Sequence, residues 1–372
     1  MGKTFLQIEL LHAAHGDCLW IEYGTVGRQR RVLVDGGPIG QYKFLDAKMN
    51  TLQEGDRTFE LVVLTHVDTD HVDGLVRLFA NKKVDWKFDT KDVWFNGWKH
   101  LESDTLGGNQ GEFFSALIHA RVGPAKWNQA FKGKTIVVPD TGPLPCIKLA
   151  DDFVVTLLSP TPRTLAKMKK AWQRDVQAFA PGDLEAAWAA LTQQKKYLPN
   201  KTLLGSTPNV DERLKKQSKP DNSAANGASI AFLAEFGGHS ALFLGDARAD
   251  VVATSVARLL AERGLKRLRV DAVKVAHHGS KANISDELLA LIDSPHFLIS
   301  TNGAIFKHPD QEAIERIIAR SVHQPPKLHF NYRTSFTEKW DDPALQRELG
   351  YEVRYNDSDC EPMKIRFESD TR

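Results

Sequence analysis

Cysteine is scarce in this chain: Cys18, Cys146 and Cys360 are the three among 372 residues, widely scattered and with no CxxC pair. An odd, dispersed set supports neither a disulfide framework nor a thiolate zinc site. Long apolar runs are missing too, since none approaches the ~20 residues of a bilayer span, and MGKTFLQIEL has neither the apolar core nor the cleavage site of a secretory leader. The expectation is a cytoplasmic protein without membrane contact. Three catalytic motifs are also lacking: a GxSxG elbow, a GxxxxGK[ST] loop, and a GxGxxG before a helix. Serine-hydrolase, P-loop and dinucleotide chemistry therefore have no carrier.

What is present is a globular composition, 42% hydrophobic, with enough length to bury a sizeable core. The net charge of +2 hides an asymmetry, because residues 161–220 hold twelve basic and five acidic side chains, an excess of seven that leaves the rest of the chain at −5. Such a stretch is ordinarily a solvated helical face, but it also concentrates polyanions. Short alternating segments (TFLQIELLHA, CLWIEYG, RRVLVDGG, ELVVLTH) predict a meander of strands leading to a buried one. TIVVPD, IKLADD and FVVTLLSPTP predict further strands, whereas Leu165, Met168, Trp172, Val176, Leu184, Trp188 and Leu191 recur at helical spacing. A basic helical insertion at about 160–222 thus interrupts two β-rich halves of one domain spanning 1–372. Strands resume around a Gly237-Gly238 hairpin, followed by a helix with Asp250 as its expected N-cap and Gly264 at its end.

The stretch LVVLTHVDTDHVDGL, residues 61–75, crowds His66, Asp68, Asp70, His71 and Asp73 behind an oily run. Neighbouring carboxylates raise each other's pKa and resist desolvation, so a buried cluster of them asks for a cation. One His-Asp pair at a strand end is more often a hydrogen-bonded cap, but four such groups in six residues point to a metal half-site with nitrogen and oxygen ligands. Two later strand ends deliver the same chemistry: Asp246 in ALFLGDA, and His277 with His278 in KVAHHGS. Asp35 in VLVDGG ends another strand, where it reads either as a turn residue or as part of the same edge.

Taken in order, the series resembles the metallo-β-lactamase-fold hydrolase superfamily, and within it the hydrolase domain of the ComEC competence protein and its stand-alone relatives. The matching segments are HGDCLWI at 15–21, VLVDGG, the His-x-Asp-x-Asp-His loop at 66–71, Asn226 to Ser229, LGD at 244–246 and HHGS at 277–280. The resemblance implies an α/β fold, an αββα sandwich of two mixed sheets with helices on both outer faces and the metal site at one edge. It implies His66 and Asp68 at a first metal, Asp70 and His71 at a second, Asp246 between them, and His278 on the second, with His277 packing or touching substrate. Asp35 and Asp17 would support this shell, and Ser280, Asn302 and Asn283 are further candidates beside it. Two departures stand out: Asp68 replaces a histidine, and the middle histidine position is occupied by Asn226. The first site would then be rich in oxygen, which makes manganese or magnesium as reasonable as zinc, at one ion or two.

Two divalent ions lower the pKa of a bridging water and hold the resulting hydroxide in line with a polarised ester. The expected activity is therefore metal-dependent hydrolysis, with Asp70 orienting the nucleophile and Asp70 or His308 returning a proton to the leaving oxygen. The resemblance, together with the lysine-rich insertion, implies a phosphodiester of nucleic acid as the expected substrate. A lactonase or phosphocholine-esterase activity would use the same metals, and a partner-activated subunit of a multi-protein defence assembly is the third reading.

Overall fold

The structure, a computed structural model, describes residues 3–80, 88–101, 109–175, 180, 182–194, 196–197, 223–356 and 361–370. Five strands open it: β1 (Lys3–Leu10), β2 (Leu19–Thr25), β3 (Arg28–Val34), β4 (Leu61–Val63) and β5 (Val93–Trp94). Helices α1 (Tyr42–Asn50), α2 (Thr69–Ala80) and α3 (Asn109–Leu117) fall among and after them. Next come β6 (Cys146–Lys148), β7 (Val154–Ser159), α4 (Pro162–Asp175), α5 (Leu184–Thr192) and α6 (Ala224–Gly227). The second half runs β8 (Ala231–Phe236), β9 (His239–Phe243), α7 (Ala249–Arg263), β10 (Ala272–Lys274), α8 (Asp286–Leu291), β11 (His296–Ile299) and α9 (Gln311–Arg320). It closes with β12 (Lys327–Phe330), α10 (Pro343–Leu349), β13 (Glu352–Tyr355) and β14 (Met363–Asp370).

Two large mixed sheets result, beside two short two-stranded ones. One has the order β14-β1-β2-β3-β4-β5 and the other β13-β12-β11-β10-β9-β8-β7-β6. Alternation along the first sheet explains the layering. Leu6, Ile8, Leu10, Ile21, Val32, Val34, Leu61 and Val63 face the second sheet in one apolar cluster. Their alternate neighbours Trp20, Leu33, Val62 and Leu64 join α1, α2 and α3 in another. With α7, α8 and α9 packed on the far side of the second sheet, the molecule is an αββα sandwich. The uninterrupted apolar runs in the sequence are strands buried on both faces.

Several local expectations are refined. TIVVPD forms no regular strand: Ile136 and Val138 are buried, but their amides are taken by the Asn96 side chain and the Pro160 carbonyl. Helix α7 starts at Ala249, so Asp250 lies in its first turn and pairs with Arg248 instead of capping it. The described part of the predicted insertion is not a detached appendage. Leu165, Met168, Ala187 and Leu191 enter the α1–α3 core, with Trp188 half-buried against it, and Tyr197 donates its hydroxyl to Asp73 of α2. The Trp172 side chain and most of residues 176–222 lie outside the described residues.

The architecture lines up the carboxyl ends of β3, β4, β9, β10 and β11 at one edge, because β3–β4 and β9–β10–β11 are parallel ladders. Loops leaving such ends form the crevice where open α/β sheets place ligands. Helix α2 is fixed at this edge by close backbone approach: a Cβ on Gly74 would lie 1.9 Å from the Gly36 carbonyl oxygen. Gly74→Ala should therefore lower the urea unfolding midpoint by an equivalent on the order of 3 kcal/mol, against the gain of about 1 kcal/mol that helix propensity alone favours. A second prediction concerns acid stability. His329 is 7% exposed, its Nε2 lies 2.8 Å from His296 Nδ1, and burial, with the neighbouring positive charges, pushes its pKa down to about 3. The unfolded residue takes up a proton near its ordinary value and the folded one does not, so stability falls as pH drops through that window. The loss is about 2 kcal/mol at pH 5, and thermal unfolding of His329→Gln should show a shallower acid limb.

Candidate metal centre

The site begins with a carboxylate at the end of β3. Asp35, 1% exposed and at φ 59, accepts from the Thr65 amide at 2.8 Å, the Thr65 hydroxyl at 2.7 Å and His71 Nδ1 at 2.8 Å. Thr65 Oγ1 gives its proton to Asp35, so it accepts from His66 Nδ1 at 3.0 Å. One buried carboxylate thus sets the tautomer of two histidines, one directly and one through a threonine. In the other half of the molecule His278 Nδ1 faces the Ser300 carbonyl at 2.9 Å. In all three rings an oxygen takes the Nδ1 proton, so the neutral imidazole carries its lone pair on Nε2.

Those lone pairs meet around Asp246. Its Oδ2 lies 3.6 Å from His66 Nε2 and 3.7 Å from His277 Nε2, with Asp68 Oδ2 3.6 Å from His66 Nε2. Its Oδ1 lies 3.5 Å from His71 Nε2 and 3.9 Å from His278 Nε2. Asp70 Oδ2 completes that side at 3.5 Å from His278 Nε2 and 3.8 Å from His71 Nε2. These are separations of donors surrounding a common centre and not of donors bonded to each other. His66 Nε2, His71 Nε2, His278 Nε2 and Asp246 Oδ1 are buried without a hydrogen-bond partner, an arrangement costly in an apolar interior unless a cation occupies it.

The geometry revises one expectation. Asn226 stands where a histidine was expected, yet the first half does not become oxygen-rich, because His277 turns into it. Adjacent residues reach opposite halves since both take left-handed backbone, φ 47 at His277 and 55 at His278. Each half then offers two imidazole nitrogens, one aspartate of its own and one oxygen of Asp246.

Charge fits the same conclusion. Among the described residues, the carboxylates Asp17, Asp35, Asp68, Asp70 and Asp246 are accompanied by one ammonium, Lys274, whose Nζ lies 2.6 Å from Asp17 Oδ2 with both side chains buried. The excess of four negative charges is what two divalent ions cancel. The same field acts on the histidines: burial disfavours the His71 imidazolium, but Asp246, Asp35 and Asp70 outweigh it and hold its pKa well above the ordinary value. Burial likewise opposes ionisation of Asp246, and His277, His71 and His278 overcome it, holding the carboxyl well below the carboxylate range. Asp17, His71, Asp246 and His278 each offer one donor atom within 4.8 Å of the others. Asp17, however, approaches His278 on the Nδ1 side, at 3.5 Å, and is held by Lys274, so Asp70 is the carboxylate that faces the open nitrogens.

The remaining candidates separate into neighbours and bystanders. His308 borders the site, its ring 5.3 Å from that of His277; burial lowers its pKa, with Asp310 pulling the other way. Asn226 touches it through Nδ2, 3.4 Å from His277 Nδ1. Ser280 is a turn residue whose Oγ accepts from the Ala282 amide, and Asn302 accepts from the Ala304 amide to close its own loop. Thr65, Lys274 and Ser300 escaped sequence reasoning. Lys274 offered a signal, a cation inside an otherwise apolar strand.

No protein-family model and no curated protein matches the chain. Among solved structures it is similar to the metallo-β-lactamase-fold protein YhfI from Bacillus subtilis, at 10% identity and TM-score 0.42, covering 98% of this chain and 100% of that one. It is also similar to zinc-bound PqqB from Methylobacterium extorquens, at 14% identity and TM-score 0.42, covering 97% and 99%. A diphosphatase of the PhnP family gives 13% identity and TM-score 0.36 over 98% of each chain. No residue role passes from them to this chain, and the likeness to ComEC-type proteins rests on the motif series alone. Asp35→Asn would place an amide against donors on His71 and Thr65, so divalent-ion affinity should fall about 10–100-fold in a chelator competition assay, with the circular dichroism spectrum unchanged.

Proposed function

We propose that the chain is a metal-dependent hydrolase that cleaves phosphodiester bonds of nucleic acid. The observation that carries the hydrolase reading is Asp246, one carboxylate whose two oxygens address two donor sets, each with two imidazoles and a second aspartate. Two divalent ions held there would acidify a bound water and polarise a phosphoryl oxygen. A donor set mixed in nitrogen and oxygen suits zinc or manganese better than magnesium, which prefers oxygen and water.

The chain's own groups divide the remaining work. Asp70 is held ionised, because His71 and His278 outweigh the burial that opposes its charge, and so it is suited to accept a hydrogen bond from the attacking water and orient it. His308, a neutral imidazole at neutral pH, is suited to donate an N–H to a phosphoryl oxygen instead of storing a proton. What supports nucleic acid over a small ester is the basic excess of residues 161–220 in the sequence, since each phosphate neutralised by a basic side chain releases counterions. Asp68, at 46% side-chain exposure the most open of the donors, marks the side from which a large substrate could reach the centre.

The test pairs elemental analysis with cleavage of labelled single- and double-stranded DNA and RNA under zinc, manganese or magnesium, comparing the wild type with Asp70→Ala/His71→Ala. Two bound equivalents are expected, with cleavage that weakens steeply with salt and drops at least ~1,000-fold in the double variant. Salt-independent hydrolysis of a small ester would replace the substrate class with lactones or phosphocholine esters. Bound metal with no cleavage of any substrate would favour a subunit that needs a partner, and absence of metal under every condition would defeat the reading.

A further inference from the structure

We propose that Asn283 is a positioning residue that fixes His277 as its Nδ1-protonated tautomer and thereby makes it a nitrogen donor of the first half of the centre. This rests on the two-metal reading above and goes beyond it, because it assigns the departure from the expected histidine at position 226 to a particular compensating device.

The argument is a count of donors. Asn283 is fully buried, and its Nδ2 donates to two main-chain carbonyls, Asp246 at 3.1 Å and Ala247 at 3.2 Å. An amide nitrogen carries two protons, so both are engaged. A flipped amide would aim its oxygen at two carbonyl oxygens, which excludes that orientation on electrostatic grounds. The amide oxygen is thus held toward His277, 3.0 Å from Nδ1. A ring nitrogen that close to an oxygen carries the proton, and the lone pair is left on Nε2, the atom 3.7 Å from Asp246 Oδ2. Asn226 lies farther away, its Nδ2 3.4 Å from the same Nδ1, so the oxygen of Asn283 makes the closer contact.

The backbone shows why the task falls to residue 283. The His277 amide bonds the Gly245 carbonyl at 2.9 Å, and a turn follows in which Ser280 bonds back to His277 at 2.8 Å and Asn283 to Ser280 at 3.1 Å. This turn brings the side chain of residue 283 under both the loop that carries Asp246 and the imidazole of His277. One amide therefore ties together two donors of the same half. His278 needs no such help, because a main-chain carbonyl, that of Ser300, already sets its tautomer.

The experiment uses the full chain. Two-bond 15N–1H spectra of the histidine rings, taken on metal-free wild type at alkaline pH, report which nitrogen of His277 bears the proton, with His277→Gln supplying the assignment. Titration with zinc alone, followed by elemental analysis, reports stoichiometry for the wild type and for Asn283→Leu. The expected result is protonation at Nδ1 in the wild type, and in the variant one tight equivalent of zinc with the second weakened about 10–100-fold. Protonation at Nε2 in the wild type overturns the proposal even if Asn283→Leu fails to fold, and so does a folded variant that binds two equivalents as tightly as the wild type. A wild type that takes up no zinc would instead defeat the two-metal reading, while the ring spectrum still decides what Asn283 does.

Discussion

The centre depends on Asp35 more than on any single donor that faces it. Its carboxylate accepts three hydrogen bonds, two from Thr65 and one from His71, and so joins the end of β3 to the loop after β4 and the first turn of α2. A buried carboxylate that accepts three hydrogen bonds has its oxygens engaged by those donors, and so it holds the imidazoles in a fixed orientation. Remove its charge and neither His71 nor, through Thr65, His66 retains a reason to present Nε2. Everything built at the crevice assumes that choice of tautomer.

The same logic recurs across the sandwich with different acceptors. A carboxylate serves His71, a threonine hydroxyl His66, a main-chain carbonyl His278 and an amide oxygen His277. What is common is an oxygen at hydrogen-bond distance from Nδ1, and so a lone pair on Nε2 directed at Asp246. Glycine supplies the room for it. The loops bearing Asp17 and Asp35 approach α2 so closely that a Cβ on Gly16 would meet the Asp70 carbonyl oxygen at 1.9 Å, and Gly36 bonds the His71 carbonyl. The ligand-bearing turn is therefore clamped by backbone on both sides, and its side chains point where the two sheets meet.

Much of this is legible in the chain of residues alone. The HVDTDH stretch, LGD and HHGS each put a donor at the end of an apolar run, and a run that ends in a polar group at a sheet edge can be read from hydropathy alone. The strands buried on both faces are visible as runs of Leu, Val and Ile. Less legible is TIVVPD, whose composition matches a strand but whose amides are taken by Asn96 and Pro160 rather than by a ladder. Asn302 and Ser280 look like candidates because polar residues beside a site look alike in sequence whether they face it or close their own turns.

His277 shows where the boundary lies. The order of residues is enough to place two histidines, four aspartates of the ligand segments and a second histidine pair at strand ends, because hydrophobic periodicity dictates where a strand stops and so which side chains sit at its end. It does not determine which half His277 serves. That depends on two consecutive residues at positive φ, on an amide whose orientation is set by carbonyls of a different loop, and on the 3.7 Å that separates Nε2 from Asp246 Oδ2. Only tertiary structure decides these, since tautomer and direction are set by the partners a ring meets across the fold and not by its neighbours along the chain.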